Sequence, residues 1–160
     1  MTHLITGGQK SGKSAYAQQL ALSFSNNPVY LATSRIWDEE QKKRIEKWMT
    51  IEEEKHISNV EPGSDTVVLD CLTLWLTNIF SDTENVAKSL DFAKKEIDRI
   101  FKKEIKNLII ITNEINMGIH PDTKTGRDFV DLQGQMNQYV ADKVDKVTLM
   151  VSGTGVVVKE

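Results

Sequence analysis

Eight residues near the start of the chain have the types and spacing of a phosphate-binding loop. The stretch GGQKSGKS follows the pattern G-x-x-x-x-G-K-S/T, whose glycines let backbone N–H groups turn inward towards a phosphate. Lys13 would reach the β- and γ-phosphates of a nucleoside triphosphate, and the Ser14 hydroxyl would ligate Mg²⁺. The alternative is a glycine-rich turn with no ligand. The loop residues are Gly7, Gly8, Gln9, Lys10, Ser11, Gly12, Lys13 and Ser14.

The elements around this loop are those that the pattern requires. A short apolar run at 3–6 predicts a strand before it, and apolar residues at helical spacing over 13–24 predict a helix after it. The loop would then deliver a phosphate to the N-terminus of a helix, where unpaired backbone N–H groups favour an anion.

The rest of the chain alternates in the same way, which is typical of an α/β fold. Short runs rich in β-branched residues alternate with longer segments of helical period, and the near-continuous apolarity of the runs favours a mostly parallel sheet covered on both faces. Strands are predicted at 3–6, 29–33, 67–70, 108–112, 147–152 and, after a turn at 153–155, 156–158. Helices are predicted at 13–24, 38–48, 86–106 and 127–144.

Size and composition predict a single nucleotide-binding domain over residues 1–160. A chain of 160 residues with 39% hydrophobic content can form one core but not two independent ones. A net charge of −3 argues against a broad nucleic-acid surface. We expect a cytoplasmic protein without a membrane span, because the sequence has one cysteine, no signal-peptide pattern and no apolar run of about 18 residues.

Asp70 is a second candidate for the phosphate-binding machinery. It ends the predicted strand at 67–70, which we expect to lie beside the strand of the loop. An aspartate in that position can hold magnesium through its water shell, as the Walker-B acid does in P-loop NTPases. The alternative is an aspartate that only caps the next turn.

Six blocks of the sequence carry a family resemblance that covers nearly the whole chain. They resemble the bifunctional adenosylcobinamide kinase / adenosylcobinamide-phosphate guanylyltransferase family of cobalamin biosynthesis, and they occur in the family order. T-N-E-x-x-x-G and L-x-G-x-x-N-Q are the stretches that generic P-loop proteins do not share. The blocks are TGGQKSGKSAYA, YLATSRIWDEEQKKRI, VVLDCLTLWLTN, IITNEINMGIHPD, GRDFVDLQGQMNQYVADKVDKV and LMVSGTGVVVK.

The resemblance implies a RecA-like P-loop fold, a homo-oligomer and two reactions. The first moves a γ-phosphate from GTP or ATP to the aminopropanol hydroxyl of the corrinoid adenosylcobinamide. The second transfers GMP from GTP to that phosphate through a GMP-histidine intermediate, with Mg²⁺ as cofactor. Covalent transfer would replace one difficult displacement by two easier ones. Cobalt would arrive inside the substrate.

The resemblance also implies site residues outside the loop. Thr33, Ser34 and Arg35 match the nucleotide-contacting turn after the second strand, although Thr33 and Ser34 could simply cap a helix. Glu52 falls on the acid that binds the guanine nucleotide, or belongs to a solvated charge run. Independently of the resemblance, Glu114 follows the fourth predicted strand, in the region where open α/β sheets bind ligands, and is a candidate catalytic acid or a plain loop carboxylate.

The chain departs from the family at the guanylylated histidine. The sequence passes from Ile45 to Trp48 with two residues between them, where the family has the histidine and a basic stretch. The histidines present are His3, His56 and His120, and none occupies the family position.

Two interpretations of this departure are open. The block is deleted, which would leave a single-activity P-loop kinase or a nucleotide-dependent binding module, or a mobile loop of the protein is missing from the 160 residues. We favour the second interpretation, because the flanking blocks keep the family pattern and a catalytic loop is a plausible place for mobility.

Overall fold

The computed structural model describes residues 1–33, 57, 65–118 and 120–160. Strands and helices alternate along these residues as an α/β fold requires. In chain order they are β1 (Thr2–Gly7), α1 (Lys13–Phe24), β2 (Val29–Ala32), β3 (Thr66–Asp70), α2 (Leu72–Thr83), α3 (Val86–Phe101), β4 (Asn107–Ile111), α4 (Lys124–Lys143), β5 (Lys146–Val151) and β6 (Thr154–Lys159).

The strands form one six-stranded sheet in the order β2-β3-β4-β1-β5-β6. The first five are parallel and β6 is antiparallel to β5, so the predicted mostly parallel sheet is confirmed. The expected position of Asp70 beside the loop's strand was wrong, because β4 pairs with both β1 and β3 and separates them. The order of strands along a chain does not determine their order in a parallel sheet, since helical crossovers can skip a position.

Apolar side chains alternate between the two faces of the sheet. On β4, Leu108 and Ile110 pack against α2, α3 and α4, while Ile109 and Ile111 pack against α1. This is the period-2 pattern of a strand that is covered on both sides. Among the described residues, no helix combines the length and apolarity needed to cross a membrane.

Helix α2 is an element that the sequence analysis missed. Its apolar residues follow directly on β3, so the run from Thr66 onwards reads as one continuous apolar block. The helix is buried on most of its surface, with Trp75 fully enclosed, and therefore lacks the amphipathic period that identifies a surface helix. Trp75 is a core residue and offers no surface to a ligand.

Two predicted boundaries were also wrong. The helix predicted at 86–106 ends at Phe101, because the backbone turns through Lys102 and Lys103 to enter β4, and the charged residues there resemble a continuing helix face. The final turn lies at residues 152–153 rather than 153–155, and β6 is longer than predicted. The helix predicted at 38–48 lies outside the described residues.

His3 gives the fold a predictable dependence on pH. Its side chain is buried on β1, and Nε2 lies 2.8 Å from Thr148 Oγ1 on β5. Burial, with a smaller contribution from the charge of Lys146, lowers the pKa of His3 from 6.5 to about 4. The folded state therefore keeps His3 neutral while the unfolded chain takes up a proton, so this stability is present above pH 6.5 and is lost as the pH falls towards 4.

The free energy of unfolding should fall between pH 6.5 and pH 4, and we expect this fall to be smaller in His3→Gln than in the wild type by about 3 kcal/mol. Urea unfolding of the wild type and the variant at several pH values measures this difference. His120→Gln, at an exposed position, is the matched control. If the free energy of unfolding depended on pH in His3→Gln as it does in the wild type, His3 would not be the source of this pH dependence.

Candidate active site

The predicted phosphate-binding loop joins β1 to α1 at the carboxyl edge of the sheet. Its backbone takes conformations that favour glycine, with φ of 151° at Gly7 and 96° at Gly12, and Lys10 is also left-handed at 56°. Gly12 precedes α1 without a side-chain cap, and the first turn of the helix has no acidic residue. The first N–H groups of α1 are therefore open to an anion.

The phosphate-binding loop packs against the end of β5 and the turn between β5 and β6. Gly153 N donates to Ser11 O over 3.0 Å. A side chain at Gly7 would place its Cβ 2.5 Å from Met150 O, and one at Gly12 would place it 3.2 Å from Gly153 Cα. Gly7 and Gly12 are therefore required both by backbone conformation and by close contact, Gly7 with the end of β5 and Gly12 with the β5–β6 turn.

Lys13 is held over the loop. Its side chain is 7% exposed, and Nζ donates to Gly8 O over 2.6 Å. Burial lowers the pKa of Lys13 below its usual value, and the nearby charge of Asp70 opposes this shift. The ammonium group thus lies inside the curve of the loop, where phosphate oxygens would bind.

Ser14 and Asp70 are in contact although β4 lies between β3 and β1, the strand that precedes the loop. Ser14, in the first turn of α1, donates through Oγ to Asp70 Oδ2 over 3.0 Å. The Tyr30 hydroxyl, from β2, donates to the same carboxylate oxygen. Sequence reasoning missed Tyr30 because a tyrosine in an apolar strand is indistinguishable from a core residue.

The oxygens of Ser14 and Asp70 suit Mg²⁺. Hard oxygen donors are the ligands that this ion prefers, and nucleotide sites commonly hold it with one or two protein groups and the substrate phosphates. Ser14 could bind the ion directly and Asp70 through a bound water. In the described part of the chain, no group of three or more His, Cys, Asp or Glu side chains could hold a metal ion.

Thr33 is anchored at the end of β2. Its Oγ1 accepts from Cys71 N over 2.9 Å and donates to Cys71 O over 2.7 Å, while Asn78 Nδ2 on α2 donates to Thr33 O over 2.9 Å. These bonds connect the start of the predicted nucleotide-contacting turn to the segment after Asp70. The other predicted residues of that region, Ser34, Arg35 and Glu52, lie outside the described residues.

Cys71, next to Asp70, is not a nucleophile. Burial, and next the charge of Asp70, raise the pKa of its thiol to about 12. Its Sγ accepts a hydrogen bond from Leu74 N over 3.5 Å, at the N-terminus of α2. Cys71 therefore acts as a neutral helix cap.

The loop after β4 brings Glu114 beside the phosphate-binding loop. Glu114 N donates to Gly7 O, and Asn113 N donates to Thr73 Oγ1 at the start of α2, over 3.0 and 2.9 Å. Glu114 is partly buried, and its Oε1 accepts from Asn116 N over 3.1 Å. The backbone thus places this carboxylate at the same edge of the sheet as Lys13 and Asp70.

The histidines of the described residues do not offer a nucleophile next to this edge. His3 is buried in the sheet against Thr148, and His120 is exposed in the segment before α4. His56 and the junction between Ile45 and Trp48 lie outside the part of the chain that the structure describes.

Solved structures share the fold at low sequence identity. Flagellar accessory protein FlaH from Methanocaldococcus jannaschii matches with a TM-score of 0.54 and 15% identity, over 99% of this chain and 77% of that one. P4 protein from bacteriophage phi6, solved in complex with ADP, matches with a TM-score of 0.52 and 14% identity, over 96% of this chain and 52% of that one. These matches share the fold, so the predicted α/β fold with a mostly parallel sheet flanked by helices is confirmed.

Curated relatives match at higher identity. Bifunctional adenosylcobalamin biosynthesis protein CobU of Escherichia coli (strain K12) is 33% identical over 183 positions, covering 99% of this chain and all of the relative. CobP of Pseudomonas aeruginosa, with the same description, is 31% identical over 96% of this chain and 94% of the relative. Because this chain has 160 residues, at least 23 of the 183 aligned positions have no residue here.

The family model described as cobinamide kinase / cobinamide phosphate guanyltransferase matches residues 3–158. That range includes the phosphate-binding loop, Asp70 and Glu114, and it extends into β6. The predicted resemblance is confirmed, and this chain belongs to the cobinamide kinase / cobinamide phosphate guanyltransferase family.

Proposed function

We propose that this enzyme phosphorylates adenosylcobinamide and then transfers GMP from GTP to the phosphate it has made. The observation that carries the proposal is the meeting of Lys13, Ser14 and Asp70 at one edge of the sheet, in a chain whose family model spans 3–158. We further propose that residues 1–160 act as one nucleotide-binding domain, supported by a sheet that takes strands from both ends of the chain.

In the kinase step, the chain's own residues would position and stabilise the transferred group. The N–H groups of the loop and of α1 would hold the β-phosphate, and Lys13 would neutralise charge on the β- and γ-oxygens. Mg²⁺, held by Ser14 and through water by Asp70, would supply charge neutralisation at the phosphates. Glu114 would accept the proton of the aminopropanol hydroxyl. The hydroxyl oxygen would bond to the γ-phosphorus as the nucleoside diphosphate leaves.

In the guanylyl step, a neutral imidazole would attack the α-phosphorus of GTP. The bond to pyrophosphate breaks as the nitrogen–phosphorus bond forms, and Lys13 and the helix N-terminus would stabilise the leaving group. A phosphate oxygen of adenosylcobinamide phosphate would then attack the same phosphorus and release the histidine, giving adenosylcobinamide-GDP.

A specific observation favours a second candidate, a kinase without guanylyl transfer. The family histidine is absent between Ile45 and Trp48, and the alignment with the E. coli relative leaves at least 23 positions without a residue here. A chain that lacks the nucleophile would keep the phosphate-binding loop and the first reaction only.

Intact-protein mass spectrometry before and after incubation with Mg²⁺ and GTP separates the two candidates. A starting mass above 18.1 kDa with a GMP-sized adduct would support the bifunctional enzyme with its histidine loop. A starting mass of 18.1 kDa without an adduct, together with phosphorylation of cobinamide, would establish the kinase alone. If the protein neither forms a GMP adduct nor phosphorylates cobinamide, the proposed function is wrong and a nucleotide-dependent binding module remains.

We also propose a homo-oligomer whose contact includes β6. Among the described residues this strand is one of the two edges of the sheet, and Val156, Val157 and Val158 are between 44% and 59% exposed. An exposed apolar edge strand is a template for another chain, so natural proteins usually cover it. A second copy is the occupant that we propose. Light scattering should give a mass that is a multiple of the chain mass, and a monomer that stays active would contradict this.

A cytoplasmic location completes the proposal. The sequence has one cysteine, and Cys71 is buried and free. A chain that needs no disulfide suits a reducing compartment. Cell fractionation checks this location, and recovery with secreted proteins would contradict it.

A further inference from the structure

The L-x-G-x-x-N-Q stretch at 132–138 has no part in the function proposed above, yet it places polar groups in the interior. Gln133, on α4, is fully buried, and Asn137 lies one helical turn later and is partly buried. Residues four apart lie on the same face of a helix, so both amides point towards the end of β4. Burying two amides costs free energy unless their polar atoms are hydrogen-bonded.

The two amides form a closed group of hydrogen bonds with Thr112, the residue after β4. Gln133 Nε2 donates to Thr112 Oγ1 and to Asn137 Oδ1, over 2.9 and 2.8 Å. Thr112 Oγ1 donates to Asn137 Oδ1 over 2.8 Å. Asn137 Nδ2 then donates to Asn113 O over 3.3 Å. The group thus connects α4 to the backbone of the residue that precedes Glu114.

Gly134 provides a second contact between the same helix turn and the same loop. A Cβ at this position would lie 2.2 Å from Asn116 Nδ2. Asn116 is the residue whose backbone N–H donates to Glu114 Oε1. The absence of a side chain at Gly134 therefore leaves room for the residue that holds the Glu114 carboxylate.

One atom of this hydrogen-bonded group indicates that the group is not optimised for folding stability. Gln133 Oε1 is buried and has no hydrogen-bond partner among the described residues. An unpaired buried carbonyl costs free energy, and an apolar side chain of the same length would avoid that cost. Thr112 and Asn137 would still be paired with each other if Gln133 were apolar.

We propose that Gln133 and Asn137 are positioning residues that hold the loop after β4 so that Glu114 faces the acceptor hydroxyl in the kinase step. The proposal rests on the proposed function. Gln133 and Asn137 act through Thr112 and the Asn113 carbonyl, and the Glu114 N–H bond to Gly7 O completes the connection to the phosphate-binding loop.

The first test compares Gln133→Met with Gln138→Met, an exposed glutamine on the same helix. We expect Gln133→Met to lower kcat for cobinamide phosphorylation roughly tenfold, because a small misplacement of a reacting group has an effect of that order or larger. KM for the nucleotide should change by less than about twofold, since the phosphate-binding loop is intact. The urea concentration at the unfolding midpoint should be the same for Gln133→Met and for the control, Gln138→Met. A much lower midpoint would mean a structural role and would overturn the proposal.

The second test repeats Gln133→Met in a Glu114→Gln background. If Gln133 acts through Glu114, the second substitution should lower kcat by less than about twofold, because the group it positions is already lost. A further tenfold loss would overturn the proposal. Gly134→Ala would displace Asn116 and leave the Gln133 and Asn137 side chains unchanged. It should also lower kcat when introduced into the wild type, and should not lower it further in the Glu114→Gln background. A wild type that does not phosphorylate cobinamide would instead refute the proposed function.

Discussion

Lys13→Met should lower kcat for cobinamide phosphorylation by about 10²- to 10³-fold, which is the loss seen when one preorganised donor to developing charge is removed. Lys13 is buried within the loop, and its Nζ lies 2.6 Å from Gly8 O, inside the space that phosphates would enter. Methionine keeps an unbranched side chain of similar length, so the packing around α1 should survive while the positive charge is lost. Steady-state kinetics with saturating Mg²⁺ and nucleotide measures the effect.

Lys88→Met is the control for this substitution. Lys88 is exposed in the first turn of α3, so its variant loses the same charge away from the loop. The control should retain wild-type activity and solubility. Activity within about threefold of wild type in Lys13→Met would rule out a phosphate-binding role for this lysine.

Asp70→Asn should raise the Mg²⁺ concentration for half-maximal activity by about 10- to 100-fold, the usual cost of altering a group that orients a metal's ligands. Asparagine has the same shape and can still accept from Ser14 Oγ and from the Tyr30 hydroxyl. The fold should therefore hold, while the negative charge that would attract the ion is removed. A Mg²⁺ titration of kinase activity at fixed nucleotide gives the shift.

Asp65→Asn, in the residue just before the same strand, is the matched variant. Asp65 precedes the opposite end of β3 and forms an exposed ion pair with Lys106, so its loss should not change the Mg²⁺ requirement. Nucleotide binding in EDTA separates the causes. If Asp70→Asn weakened binding equally with and without Mg²⁺, Asp70 would act on the loop itself and the metal role would be wrong.

The local features of this chain are those that short stretches of sequence determine. The bounds of α1 agree with its helical spacing, and Gly7 and Gly12 of the loop take backbone conformations with positive φ, which favour glycine. Both results depend on neighbouring residues only. The blocks that resemble the family also lie within continuous segments, and the family prediction is confirmed over 3–158.

Features that depend on distant residues were not predictable from the same reasoning. Helix α2 escaped detection because burial on most sides removes the periodic signal. The bond between Ser14 and Asp70 joins residues 56 positions apart, across a strand that chain order places elsewhere. The Tyr30 hydroxyl reaches the same carboxylate only because β2 pairs with β3 in parallel.

The sequence by itself determined the glycine-rich loop between β1 and α1, the α/β class and the family, because each is encoded in contiguous residues with their own geometric requirements. The tertiary structure decided the strand order, the meeting of Ser14, Tyr30 and Asp70, and the contact of Gln133 with Thr112. These follow from which crossovers place which strands side by side, and that choice is made by burial of the whole core rather than by any local pattern.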